Sequence, residues 1–268
     1  TRYAYSNFGY CILGRVIEEV TGLGYEEAVR QLLLDPAGVS RDEMYIGATQ
    51  LMDIPEPESE YYCPGCSLVD SVFPTEPNQV QNPYGAWHLE AMDAHGAWVA
   101  SAPQLMQMLS VTAQPHCNGT IVGQNDDTCL LWDTSIDDLT DKPSIYDASD
   151  SSWYGLGFRV RTSGTDQNWW HSGSLPGTNT IMVRTNAGFG YAWAILVNVR
   201  GFSGNMDSLM WDAVQCVNDN WPTGFDSPCD LGGTPPGNCA TIRLFKRLRG
   251  FLNDFCLLYT SPSPRDRG

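Results

Sequence analysis

The chain has 268 residues, 42% of them hydrophobic and 11% aromatic, which is enough apolar material for one real core and enough length for one large domain or two small ones. Its formal net charge is −16, and residues 1–240 hold nine basic against 29 acidic residues, a net of −20. This balance argues against a nucleic-acid or anionic-membrane binder, no apolar run approaches a membrane span, and nothing suggests collagen, coiled coil or wholesale disorder.

The first helix is predicted to begin just after Asn7. Phe8, Ile12, Leu13, Val16, Ile17 and Val20 recur at helical spacing, and Gly22 stops the run. A second helix puts Tyr25, Ala28, Val29, Leu32 and Leu33 on one face and ends at Pro36. Residues 53–84 read as a long, Pro-rich, irregular insertion. Ser101-Ala102-Pro103-Gln104 is a capping-box pattern ahead of Leu105, Met106, Met108 and Leu109. Residues 114–152 are polar and loop-like. From Trp153 the character changes: 154–160, 168–171, 180–184 and 191–198 are strand-sized runs separated by turn residues, which predicts an antiparallel sheet. A last helix runs from about 206 to 217, with Leu209, Met210, Ala213, Val214 and Val217 on its apolar face. Helices and loops, then a sheet, then a packing helix make an α+β fold. Residues 1–221 are expected to form the domain and 222–255 an irregular C-terminal extension. Residues 256–268 resemble translated adapter sequence and are set aside as a sequence artefact.

Nine cysteines are many for a cytosolic enzyme, and several lie in turn-rich segments: Cys63 with Cys66, Cys117 with Cys129, Cys229 with Cys239. Local pairing would staple long loops, which suits an oxidising compartment. Asn118-Gly119-Thr120 is a glycosylation sequon. Together these favour a secreted or lumenal protein. Cys63-Pro64-Gly65-Cys66 reads as a structural disulfide or a reduced loop pair rather than a redox or zinc site, since no thioredoxin-like unit and no second pair accompany it.

Three stretches resemble one family together. Tyr5-Ser6-Asn7, followed by a helix with Gly14 and Gly22, is similar to the Y-x-N motif of the serine β-lactamases, D-alanyl-D-alanine carboxypeptidases and related esterases. The run from Gly96 to Leu105 resembles the family's glycine-led turn into a helix. His171-Ser172-Gly173-Ser174 resembles its third motif, where Lys-Thr-Gly is usual and His-x-Gly marks esterase-like and aminopeptidase-like branches. The resemblance covers roughly residues 1–220, and the separation of Tyr5 from His171 suits the class C β-lactamase and family VIII esterase branch. It implies a β-lactamase/transpeptidase-like fold and a small-molecule or peptide substrate, with no metal or organic cofactor.

The residue types fit that chemistry. Acyl transfer needs a nucleophile, a group to move its proton, and donors for the oxyanion. Tyr5 is the candidate relay, on the expectation that nearby cations lower its pKa. Asn7 offers an amide donor and acceptor to orient the substrate. His171 is placed to hold the proton network or a substrate oxygen. Gly173 keeps the strand bare where substrate lies, and the Ser174 N–H is the candidate oxyanion donor. Of the neighbouring Trp169 and Trp170, one is expected in the core and the other as a substrate-facing wall. The family's nucleophile lies in a Ser-x-x-Lys upstream of Y-x-N, and no Ser-x-x-Lys occurs in these residues. The expectation is therefore a serine hydrolase present as an inactive fragment. The alternative is a non-catalytic scaffold or binding protein that kept the fold.

Overall fold

The computed structural model describes residues 3–55, 58–74, 78–112, 131, 133–146, 151–185, 192–200 and 205–217. The expectations for Cys117, Asn118, Cys129, Cys229, Cys239, the extension 222–255 and the tail 256–268 lie outside the described residues.

A five-stranded antiparallel sheet carries the core. β5 (Ser152–Tyr154), β6 (Arg159–Ser163), β7 (Asp166–Leu175), β8 (Thr178–Thr185) and β9 (Ala192–Val197) pair in sequence order. The register sets two faces. Trp170 pairs with Val183, which pairs with Trp193, and Ser172 with Ile181, which pairs with Ile195. This face packs on Met206 and Met210 of α5 (Met206–Val217). The other face presents Met182, Ala194 and Leu196 to Ala102, Met106 and Leu109 of α3 (Ala102–Thr112). The sheet thus lies between two helices, in an α+β arrangement. Trp169, Trp153 and Val160 form a further buried cluster with Ile136 and Tyr146 packed against it. Trp169 is 2% exposed and anchors that cluster.

Several elements differ from the sequence pattern. The expected strand 154–160 is a hairpin turn between β5 and β6. Gly155 N–H donates to the Phe158 carbonyl at 2.8 Å, Gly157 adopts φ +93°, and a side chain on Gly155 would collide with the Leu139 carbonyl. Within the polar stretch 114–152, Asp133–Thr140 forms a helix, α4, and the Trp153 indole donates to the Thr140 carbonyl at 2.8 Å. The 53–84 insertion holds a small hairpin of β2 (Val69–Asp70) and β3 (Gln79–Val80), and Cys63 is bonded to Cys66. Trp170 packs on the α5 face of the sheet, so both tryptophans serve packing and neither lines the cavity described below.

The N-terminal part is helical. α1 (Asn7–Thr21) is capped by Ser6, whose hydroxyl accepts from Gly9 N–H at 3.0 Å, and it ends at Gly22 with φ +69°. α2 (Tyr25–Val29) continues as a π-helical turn, Arg30–Leu34. Leu34, Ala37, Val39 and Met44 form a core cluster against Trp98, Leu105 and Met108, joining this region to α3 and to the pair β1 (Met44–Ile46) and β4 (Trp98–Ala100). α1 is held by its Gly14 and Arg15 side: Gly14 lies against Ala94 and Tyr25, and Arg15 pairs with Asp93 at 2.6 Å. The apolar stripe of α1 is largely open. Phe8 is 72%, Leu13 54% and Val20 80% exposed.

Candidate active site

β7 is the backbone of the site. Its outer half carries His171, Gly173 and Ser174 toward the β7–β8 turn at Pro176-Gly177. Alternation puts His171 and Gly173 on the α3 side and Ser174 on the α5 side. Gly173 is opposite Thr180, and a Cβ there would come within 2.7 Å of the Thr180 hydroxyl. Glycine is therefore required by the cross-strand neighbour as well as by any ligand lying along the strand.

Tyr5 reaches His171 through a residue that the sequence pattern does not single out. Tyr154, at the end of β5, places its hydroxyl 2.9 Å from His171 Nε2. The Tyr5 ring meets the Tyr154 ring edge-on with centroids 5.4 Å apart, and Tyr10 does the same at 6.4 Å. Tyr10 and Tyr5 also act electrostatically on the Tyr154 phenol, each raising its pKa. The four rings form one cluster between the start of α1 and the sheet. Asn7 is the exposed first residue of α1, two positions beyond Tyr5, and Ser6 rather than Asn7 caps the helix.

The electrostatics correct one expectation. Tyr5 has a raised pKa, not a lowered one. Burial is the main cause, and the neighbouring Tyr10 adds to it; among the described residues no cation acts on the phenol. Tyr154 is pushed up further by burial and by Tyr10, so it stays protonated. His171 is shifted down by burial, opposed by a hydrogen bond to the Ser172 backbone that favours the charged ring. The tautomer of the neutral ring sets whether Nε2 accepts from Tyr154 or donates to it. Tyr5, Tyr154 and the imidazole form a row, a hydroxyl chain that runs from the first motif to the third.

A cavity of about 560 Å³ opens beside the end of β7. Gly173, Ser174 and Thr180 line it from the sheet, and Tyr45, Glu58 and Trp98 from the helical side. Tyr5 and His171 lie outside its lining, so the hydroxyl chain and the cavity adjoin along β7 without coinciding. Among the described residues no group of three or more His, Cys, Asp or Glu side chains is placed to hold a metal ion, and no helix is long and apolar enough to cross a membrane.

The family model for Beta-lactamase matches residues 1–214. Among solved structures, the chain is similar to the D-amino acid amidase from Ochrobactrum anthropi SV3. In its complex with L-phenylalanine, identity is 20%, coverage 73% of this chain and 52% of that one, and the TM-score 0.51. In its complex with L-phenylalanine amide, identity is 20%, coverage 73% and 50%, and the TM-score 0.50. SurE matches at 21% identity over 80% of this chain and 43% of its own, with a TM-score of 0.49. At such identities these likenesses speak to fold alone, and the chain spans about half the length of the solved structures it matches. No curated protein sequence matches the chain. With Tyr5 and His171 brought to one ring cluster, and with the family model running from the first helix through the sheet and into α5, the chain belongs to the Beta-lactamase family of serine-hydrolase-type folds.

Proposed function

We propose that the chain supplies the proton relay and one oxyanion donor of a serine hydrolase that cleaves esters or amides through an acyl-enzyme. The observation that carries this reading is the chain Tyr5–Tyr154–His171, which links the two motifs through a 2.9 Å hydrogen bond and an edge-on ring contact. A raised tyrosine pKa makes free phenolate scarce, so Tyr5 acts as a base only if its own proton has somewhere to go. Tyr154 provides that route. As the serine Oγ–H proton moves to Tyr5, the Tyr5 proton moves to the Tyr154 oxygen and the Tyr154 proton to His171 Nε2. The serine oxygen bonds to the substrate carbonyl, whose oxygen takes the negative charge beside the Ser174 N–H. Reversal of the relay returns one proton to the leaving alcohol or amine. Asn7 orients the substrate from the start of α1.

Residues 1–268 hold no Ser-x-x-Lys, so the reading places the nucleophile in sequence upstream of Tyr5, and these residues alone are inactive. A neutral His171 in the third motif favours esters or amides over β-lactams, because it gives a substrate carboxylate no permanent counter-charge. Secretion into an oxidising compartment is part of the reading and is supported by the Cys63–Cys66 bond. The test is kinetic. Protein made from the upstream-extended reading frame is assayed on short p-nitrophenyl esters and on nitrocefin. Ester turnover that falls about 10²- to 10⁴-fold in Tyr5→Phe is expected. Fast nitrocefin turnover without ester turnover overturns the ester preference, and no turnover of either favours the scaffold alternative.

A further inference from the structure

The cavity beside Gly173 and Ser174 has a chemical character that the hydroxyl chain does not use. Its walls are aromatic, from Tyr45, Tyr61, Trp87 and Trp98, and 46% of Trp87 is exposed. Its charged lining is Asp42, Glu43 and Glu58, and no Lys, Arg or His lies among the described lining residues. Glu58 is fixed: the Tyr45 hydroxyl donates to one carboxylate oxygen at 2.8 Å and the Tyr61 hydroxyl to the other at 2.6 Å. Both phenols are held protonated by burial and by this same carboxylate, so the two donors persist. Tyr61 in turn packs under the β7–β8 turn, where Gly177 leaves room for it: a Cβ on Gly177 would come within 2.6 Å of the Tyr61 Cβ. The Glu58 carboxylate is thereby tied to the strand end that carries Ser174.

An oriented anion among aromatic faces, with no cation of the lining to neutralise it, is the chemistry that recognises an organic ammonium group. Each carboxylate oxygen keeps a lone pair for an N–H donor, and the rings attract the cation and cover its apolar part. A volume of about 560 Å³ accommodates an aryl-alkyl amine. We propose that this cavity is a subsite for a cationic, partly apolar group, with Glu58 as its counter-ion and the aromatic walls as its enclosure. That the group belongs to the substrate rests on the hydrolase reading above, because the cavity opens onto Gly173 and Ser174. The subsite itself does not depend on it.

Isothermal titration of the 268-residue chain with three probes of one shape tests this: phenethylammonium, the neutral 2-phenylethanol and the anionic 3-phenylpropionate. The ammonium is expected to bind about tenfold or more tightly than the alcohol, the difference a charge-assisted hydrogen bond supplies, with the carboxylate weakest. Glu58→Gln should bring the ammonium to the level of the alcohol while leaving alcohol binding unchanged, which also shows that the variant is folded. Tyr45→Phe, which frees one carboxylate oxygen without removing the charge, should keep part of the preference. Equal binding of ammonium and alcohol, no binding of any probe, or a preference that survives Glu58→Gln would each overturn the proposal. Binding requires no nucleophile, so the two readings fail separately. Ammonium selectivity without ester turnover in the extended protein would sink the hydrolase alone; turnover of p-nitrophenyl acetate without ammonium selectivity would sink the subsite alone.

Discussion

Tyr154→Phe removes one oxygen from the centre of the ring cluster and leaves the ring in place. That oxygen lies at hydrogen-bond distance, 2.9 Å, from His171 Nε2, so its loss unmakes the polar link between the ring cluster and the third motif. Tyr154 is half-buried, and solvent compensates part of the loss, which puts the cost at about 1–2 kcal/mol for hydrogen bonds left unmade. The sharper consequence is at His171. In the proposed relay Nε2 accepts from Tyr154, which stabilises the neutral ring, so removing the hydroxyl should move the His171 pKa upward. The assay is an NMR titration of ¹⁵N-histidine-labelled chain, with His171→Gln assigning the signal among four histidines. In the parent chain the neutral ring should show the Nδ1–H tautomer, and in Tyr154→Phe the midpoint should rise. An unchanged midpoint, or the Nε2–H tautomer in the parent chain, would refute the direction given to the hydroxyl chain.

Four other outcomes follow from packing and charge. Because burial holds His171 below its ordinary value, the unfolded chain takes up this proton first; the stability it contributes is complete above about pH 6.5 and is lost as pH falls through the folded value. Urea melts at pH 7.5 and 5.5 should show a decline that His171→Gln reduces. Trp169→Ala, at a site 2% exposed, should cost about 3–5 kcal/mol in the same melts, and a cost below about 1 kcal/mol would contradict the packing of Trp153, Val160 and Trp169 as one buried cluster. Gly173→Ala should destabilise by about 1–3 kcal/mol through the Thr180 hydroxyl, and Thr180→Ala in the same chain should recover most of it, whereas additive costs would deny the contact. Phe8→Glu and Val20→Lys on the open stripe of α1 should change chain stability by less than about 0.5 kcal/mol while lowering binding of a hydrophobic dye.

The motifs were legible because their residues are close in sequence and each motif has its own chemistry: Tyr5 with Asn7, and His171 with Gly173. Tyr154 was not. Its role exists only because Gly155 and Gly157 turn the chain into β6, which pairs with β7 and brings the end of β5 next to His171; in the sequence it reads as one residue of a continuous strand. α4 escaped notice because Ile136 and Leu139 are its apolar residues in a run otherwise polar or acidic, too few to set a helical period. The helix α1 was plain from its spacing, but periodicity shows that a stripe exists and not what covers it. Here the covered side is that of Gly14 and Arg15. Trp169 and Trp170 needed the register, which puts them on opposite faces of a sheet packed on both sides. The cavity was invisible for a similar reason, since Tyr45, Glu58 and Ser174 lie far apart in sequence and meet only through the fold.

The central claim is that these residues hold the proton relay for a serine supplied from upstream sequence. Labelling with a fluorophosphonate, followed by mass mapping of the modified residue, tests it in the upstream-extended protein and in the 268-residue chain. The account predicts a labelled serine within a Ser-x-x-Lys preceding Thr1, slower labelling in Tyr5→Phe and Tyr154→Phe, and none in the shorter chain. Labelling of a serine within residues 1–268, or an extended protein that never reacts, would contradict it.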